Sequence, residues 1–141
     1  MKKALMIFAL MVGLLSCSGG STSADAESDG KDRVEVLYFH GKQRCATCKA
    51  IESNTQEVIK SLFADELKDG TLVFRVVDMS TSEGEEIADR YEVTWSSLFV
   101  NKWKDGKETR TDMTEFSFGN VRNNPDVFKN ALADKIRQYL E

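Results

Sequence analysis

The sequence predicts an α/β domain, a central mixed sheet flanked by helices in the order β-α-β-α-β-β-α. Three observations lead there. Two short apolar runs, Val34–His40 (VEVLYFH) and Thr71–Val77 (TLVFRVV), are separated by a long stretch of helical periodicity. Strands so separated join by a right-handed parallel crossover. Further on, Asp105-Gly106 lies between two strand-like segments and signals a tight antiparallel hairpin. Last, Asn124-Pro125 opens a stretch with an apolar stripe, as a closing helix requires.

In chain order, the first sixteen residues stand apart from this domain. Lys2 and Lys3 precede an apolar run, Ala4 to Leu15, that is short for a membrane span. The run ends Leu14-Leu15-Ser16-Cys17, which resembles the lipobox of bacterial lipoproteins. That resemblance implies a signal peptide over 1–16, cleavage before Cys17 and acylation of its thiol. The protein would then be anchored by lipid to a bacterial membrane in the cell envelope. Cysteine arithmetic agrees: of three cysteines, lipid takes one and leaves Cys45 and Cys48 as a pair. An ordinary secretory cleavage near Ser16 is the alternative.

Residues 17–32 hold no large apolar side chain and are rich in Gly, Ser and acid. They read as a flexible tether with a reach of about 20 Å. The domain is then 33–141. Without Lys2 and Lys3 the 19 basic residues fall to 17, against 23 acidic ones. A net charge of −6 argues against a nucleic-acid surface.

Val34–His40 is apolar almost without interruption, as a strand covered on both faces is. Cys48, Ile51, Thr55, Val58, Ile59, Leu62 and Phe63 recur at helical spacing, and Asp69-Gly70 ends that segment. Thr71–Val77 is read as a second buried strand. Ser82 to Glu85 fits a capping box, with Ile87, Ala88 and Tyr91 facing inward. Ser97–Trp103 and Lys107–Met113 form the hairpin strands, and Thr114–Asn123 reads as irregular. Phe128, Ala131, Leu132, Ile136 and the Tyr139/Leu140 pair line the last helix.

The chemistry concentrates in VEVLYFHGKQRCATCK, Val34 to Lys49. A strand delivers Cys45-Ala46-Thr47-Cys48 to the start of a helix, where free N–H groups and the helix dipole favour a thiolate. Arg44 and Lys49 flank the pair and are expected to lower the thiol pKa further. The residues thus predict a redox pair, with Cys45 as nucleophile and Cys48 as its resolving partner. A static disulfide is disfavoured, because closing so short a loop adds little stability. A metal reading, with His40, Cys45 and Cys48 as N/S₂ ligands to copper or zinc, is the rival. No cofactor and no resident metal are expected under the redox reading.

The position of Cys-x-x-Cys after the first strand of this element order resembles the thioredoxin-like superfamily, over about Val34 to Glu141. The resemblance implies thiol-disulfide exchange with protein thiols or disulfides, through Cys45 and Cys48. Four departures accompany it. Ala46-Thr47 replaces the family's Gly-Pro. Val93 to Leu98 lacks the cis-proline that faces the cysteines, so trans bonds are expected at Ser96 and Ser97. Leu37-Tyr38-Phe39 stands where a buried acid accepts a proton, which leaves Glu35, His40, Glu52 or water. The turn His40 to Arg44 lacks the tryptophan before the nucleophile, and Trp95 is expected to cover the pair from the opposite loop. Ser96 shares that loop, and with His40, Arg44 and Trp95 it completes the supporting residues. A thioredoxin-fold adaptor without turnover is the remaining alternative.

Overall fold

The computed structural model describes residues 30–141; the leader, Cys17 and the tether as far as residue 29 lie outside them. Four strands form one mixed sheet: β1 (Arg33–His40), β2 (Leu72–Asp78), β3 (Ser97–Lys104) and β4 (Lys107–Asp112). Their spatial order is β2-β1-β3-β4. The apolar β1 lies inside, parallel to β2 with Val34 opposite Leu72, and antiparallel to β3 with Tyr38 opposite Leu98. β2 is an edge strand rather than a fully buried one, and Val76 is exposed along it.

Alternation along β1 divides the core. Val34, Val36 and Tyr38 join Leu98 and Val100 of β3 on one face. Two long helices cover that face: α1 (Ala46–Leu62), through Ile51, Val58 and Ile59, and α5 (Pro125–Leu140), through Phe128, Leu132, Ala133 and Ile136. Leu37, Phe39, Val77 and Phe99 line the other face under Ile87 and Ala88 of α3 (Ser82–Tyr91). Burial on both faces is what the unbroken apolar run of β1 requires.

Several boundaries differ from the sequence expectation. The first helical segment breaks at Phe63, whose backbone leaves helical geometry (φ −130°, ψ 33°), and resumes as the short α2 (Ala64–Asp69). The break buries the Phe63 ring and leaves Leu62 exposed, so Leu62 is not on the inner face. α3 is capped by Thr81 rather than Ser82: the Thr81 hydroxyl accepts the Gly84 N–H at 3.0 Å. Thr114–Asn120 is a helix, α4, where irregular chain was expected. Side chains stabilise its start, since the Asp112 carboxylate accepts the Thr114 N–H at 2.8 Å. Ser117 Oγ then donates to the Met113 carbonyl at 2.6 Å. The observed order is therefore β-α-α-β-α-β-β-α-α.

The hairpin is as expected. Asp105 (φ 51°) and Gly106 (φ 73°) both take the left-handed conformation that a two-residue turn of matching twist needs. No cis peptide bond occurs among the described residues, in keeping with the trans bonds expected at Ser96 and Ser97.

Candidate active site

β1 ends at His40, and the four residues Gly41 to Arg44 carry the chain to Cys45, the N-cap of α1. With φ −73° and ψ 167°, Cys45 is extended and turns its side chain back over the first helical turn. Its Sγ accepts the backbone N–H of Cys48 at 3.1 Å, as a capping oxygen would. Cys45 is exposed and Cys48 is buried, and both are free thiols.

These contacts hold the Cys45 thiol below its ordinary pKa. The largest cause is the hydrogen bond from the Cys48 thiol, followed by that from the Cys48 backbone, with a smaller contribution from Thr47. Desolvation opposes them. The leading causes all arise within residues 45–48, so the expected push from Arg44 and Lys49 is corrected: the helix terminus and the partner thiol produce the shift. Arg44 is engaged elsewhere, in an ion pair with Glu52 of α1. Its guanidinium also lies over the Tyr38 ring, 5.9 Å from the centroid.

Beneath the pair sits Tyr38, fully buried, whose hydroxyl donates to the Cys48 carbonyl at 2.7 Å. Arg44 and Ser96 lie close enough to lower the Tyr38 pKa, against a larger rise from burial. Burial, the first cause, raises the Tyr38 pKa above the ordinary phenol value, so the group stays protonated and donates. Tyr38 was absent from the supporting residues read from sequence. The available signal was its place in the Leu37-Tyr38-Phe39 stretch, where an acid was looked for and a phenol stands.

The other sequence-derived residues divide. Ser96 is buried and turned toward Tyr38. His40 is half-buried at the end of β1, its Nδ1 donating to the Gly41 carbonyl at 3.0 Å. Among the described residues no three His, Cys, Asp or Glu side chains gather as a metal site, so His40, Cys45 and Cys48 are not brought together as ligands. Trp95 finds its ring partner on α4. It is 56% exposed and stacks on Phe118 of α4, with ring centroids 5.2 Å apart. Glu35 is buried on the opposite sheet face, where it accepts from Trp103 Nε1 at 3.0 Å. Arg33 and Arg75 flank it at 3.8 Å, so its carboxylate serves that cluster and not Cys48.

No protein-family model matches the chain, and no curated protein does. Solved structures do. The zinc-bound form of human ERp44 superposes with a TM-score of 0.50 and 20% sequence identity, over 77% of this chain and 27% of that one. The chain has a thioredoxin-like fold. A thioredoxin from Thermus thermophilus is also similar (TM-score 0.45, 21% identity, 75% of this chain and 72% of that one). So is a structure described as a malarial protein (0.45, 20%, 74% and 97%). Within this thioredoxin-like frame the dithiol lies where β1 hands over to α1, and the Ser96 loop faces it from the start of β3.

Proposed function

We propose that the protein is a thiol-disulfide oxidoreductase that uses Cys45 as nucleophile and Cys48 as resolving cysteine. One observation carries this reading: an exposed helix-capping thiol whose sulfur accepts the backbone N–H of its buried partner, a contact that lowers its pKa. Such a thiolate is nucleophilic at neutral pH.

In the direction that reduces the substrate, the Cys45 thiolate attacks a substrate disulfide. A bond forms between Cys45 Sγ and one substrate sulfur, and the other substrate sulfur leaves as a thiolate. Cys48 then attacks Cys45 Sγ, the Cys45–Cys48 disulfide forms, and the first substrate sulfur departs. It takes up the proton that Cys48 loses, so two electrons pass from the cysteine pair to the substrate. The reverse sequence oxidises a substrate dithiol. Protein thiols and disulfides are the proposed partners, because Cys45 opens onto the surface rather than into a closed cavity.

Anchoring by lipid at Cys17 in the bacterial cell envelope is part of the same reading, supported by Leu14-Leu15-Ser16-Cys17 and the remaining cysteine count. An oxidising compartment suits a pair that must cycle through a disulfide.

The test is a trapping experiment. Full-length protein carrying Cys48→Ser, expressed in a bacterial host, is expected to accumulate mixed disulfides that run as high-mass bands and collapse on reduction. Absence of such species, with Cys45 still alkylatable, counts against exchange. For the anchor, Cys17→Ala should move the protein from the membrane to the soluble fraction; retention on membranes rejects lipidation at Cys17.

A further inference from the structure

We propose that Tyr38 is the positioning residue of the dithiol site, holding Cys48 in the orientation that points its backbone N–H at the Cys45 sulfur. The inference rests on reading Cys45 as the nucleophile. A phenol has one O–H to donate and two lone pairs to accept with. Tyr38 gives its proton to the Cys48 carbonyl, 2.7 Å away, and Arg44 and Ser96 lie close enough to act on its hydroxyl. Those three residues come from separate segments: the turn before Cys45, the first turn of α1, and the chain leading into β3. One buried hydroxyl therefore ties the end of β1 to the helix start that carries the cysteines.

Nothing nearby substitutes for it. Tyr38 is fully buried, so water cannot fill its place without rearrangement. Arg44 Nε is already a buried donor with no partner, which leaves Glu52 as the side chain's other tie. Both groups that stabilise the Cys45 anion, the N–H and the thiol, belong to the residue whose carbonyl Tyr38 holds. Loss of the hydroxyl frees Cys48 to turn, and both bonds weaken together.

A carboxylate in this place would accept the Cys48 proton; a buried phenol that keeps its own proton does not. Tyr38 thus acts by geometry, not as a base.

The test uses the full-length chain in a Cys17→Ser background, reduced, so that only Cys45 and Cys48 titrate. Iodoacetamide alkylation of Cys45 is followed against pH, with folding checked by circular dichroism. Tyr38→Phe is expected to slow alkylation at pH 7 by about three- to tenfold and to move the midpoint upward. Ser96→Ala is expected to act in the same direction with a smaller effect. Val58→Ala, which loosens α1 away from Tyr38, is expected to leave the profile within about twofold of the parent. The proposal is overturned if Tyr38→Phe also stays within about twofold, or if Val58→Ala shifts the profile as much. Should Tyr38→Phe not fold, an unchanged Ser96→Ala profile overturns it instead. Alkylation reads the thiolate whether or not turnover occurs, so a parent protein without exchange activity would reject the enzyme and leave the role of Tyr38 to be judged on its own.

Discussion

The backbone N–H of Cys48 points at the sulfur of Cys45 across 3.1 Å, so the buried cysteine is placed to stabilise an anion on the exposed one. In the proposed cycle, the residue that acts last thereby prepares the first step.

This relationship makes Cys48→Ala and Cys48→Ser distinguishable. Alanine removes the thiol donor, the largest cause of the lowered Cys45 pKa, and keeps the backbone N–H. Alkylation of Cys45 at pH 7 should slow by about three- to tenfold in Cys48→Ala, and less in Cys48→Ser, which retains an O–H. Equal rates in the two variants would show that the side-chain donor contributes nothing.

Alkaline stability should depend on two buried phenols. Tyr38 and Tyr91 both have pKa values raised first by burial, and in Tyr91 next by its hydrogen bond to Glu108. The unfolded chain releases these protons near pH 10 while the folded chain holds them. Their stabilisation is therefore complete below about pH 10 and is lost as pH rises through the folded values. Urea midpoints between pH 8 and pH 11 should fall less steeply for Tyr91→Phe than for the parent. Parallel slopes would contradict the assignment.

Gly84 supports the site from below. A Cβ there would meet the Asp78 carbonyl oxygen at 1.9 Å, because α3 begins hard against the end of β2. Asp78 in turn lies opposite His40 at the end of β1. Gly84→Ala should cost about 2–3 kcal/mol in denaturant unfolding. A cost below about 0.5 kcal/mol would mean that the helix start yields freely.

Trp95 stacks on Phe118 of α4 and is more than half exposed. Trp95→Ala should leave the pH profile of Cys45 alkylation unchanged. A shift as large as that of Cys48→Ala would place the indole back over the site.

Much of this architecture was legible in the sequence because it rests on periodicity and on a few conformationally special residues. The apolar Val34–His40 run announced an inner strand, Asp105-Gly106 a hairpin and Asn124-Pro125 a helix start, each through a local cause. Helix α4 was not legible, since side-chain bonds from Asp112 and Ser117 hold it more than an apolar stripe does. Nor was the break at Phe63, where burial of one ring overrides continuous helical spacing.

The cysteine pair declared itself by spacing, whereas its surroundings did not. Arg44 seemed poised to act on Cys45 because it is adjacent in sequence, yet Glu52, eight residues away, takes its guanidinium. Tyr38 looked like one more apolar strand residue, and only the tertiary arrangement turns its hydroxyl to Cys48. Neighbours along the chain can be read from sequence; partners across it depend on packing.

The most direct test of the account is the equilibrium reduction potential of the Cys45–Cys48 pair. Full-length protein with Cys17→Ser would be equilibrated in glutathione or dithiothreitol redox buffers, quenched, and scored by thiol alkylation. The account predicts a potential between about −120 and −270 mV, the span of exchange proteins from strong oxidant to thioredoxin. A value well below about −300 mV would identify a structural disulfide and contradict the proposed exchange activity.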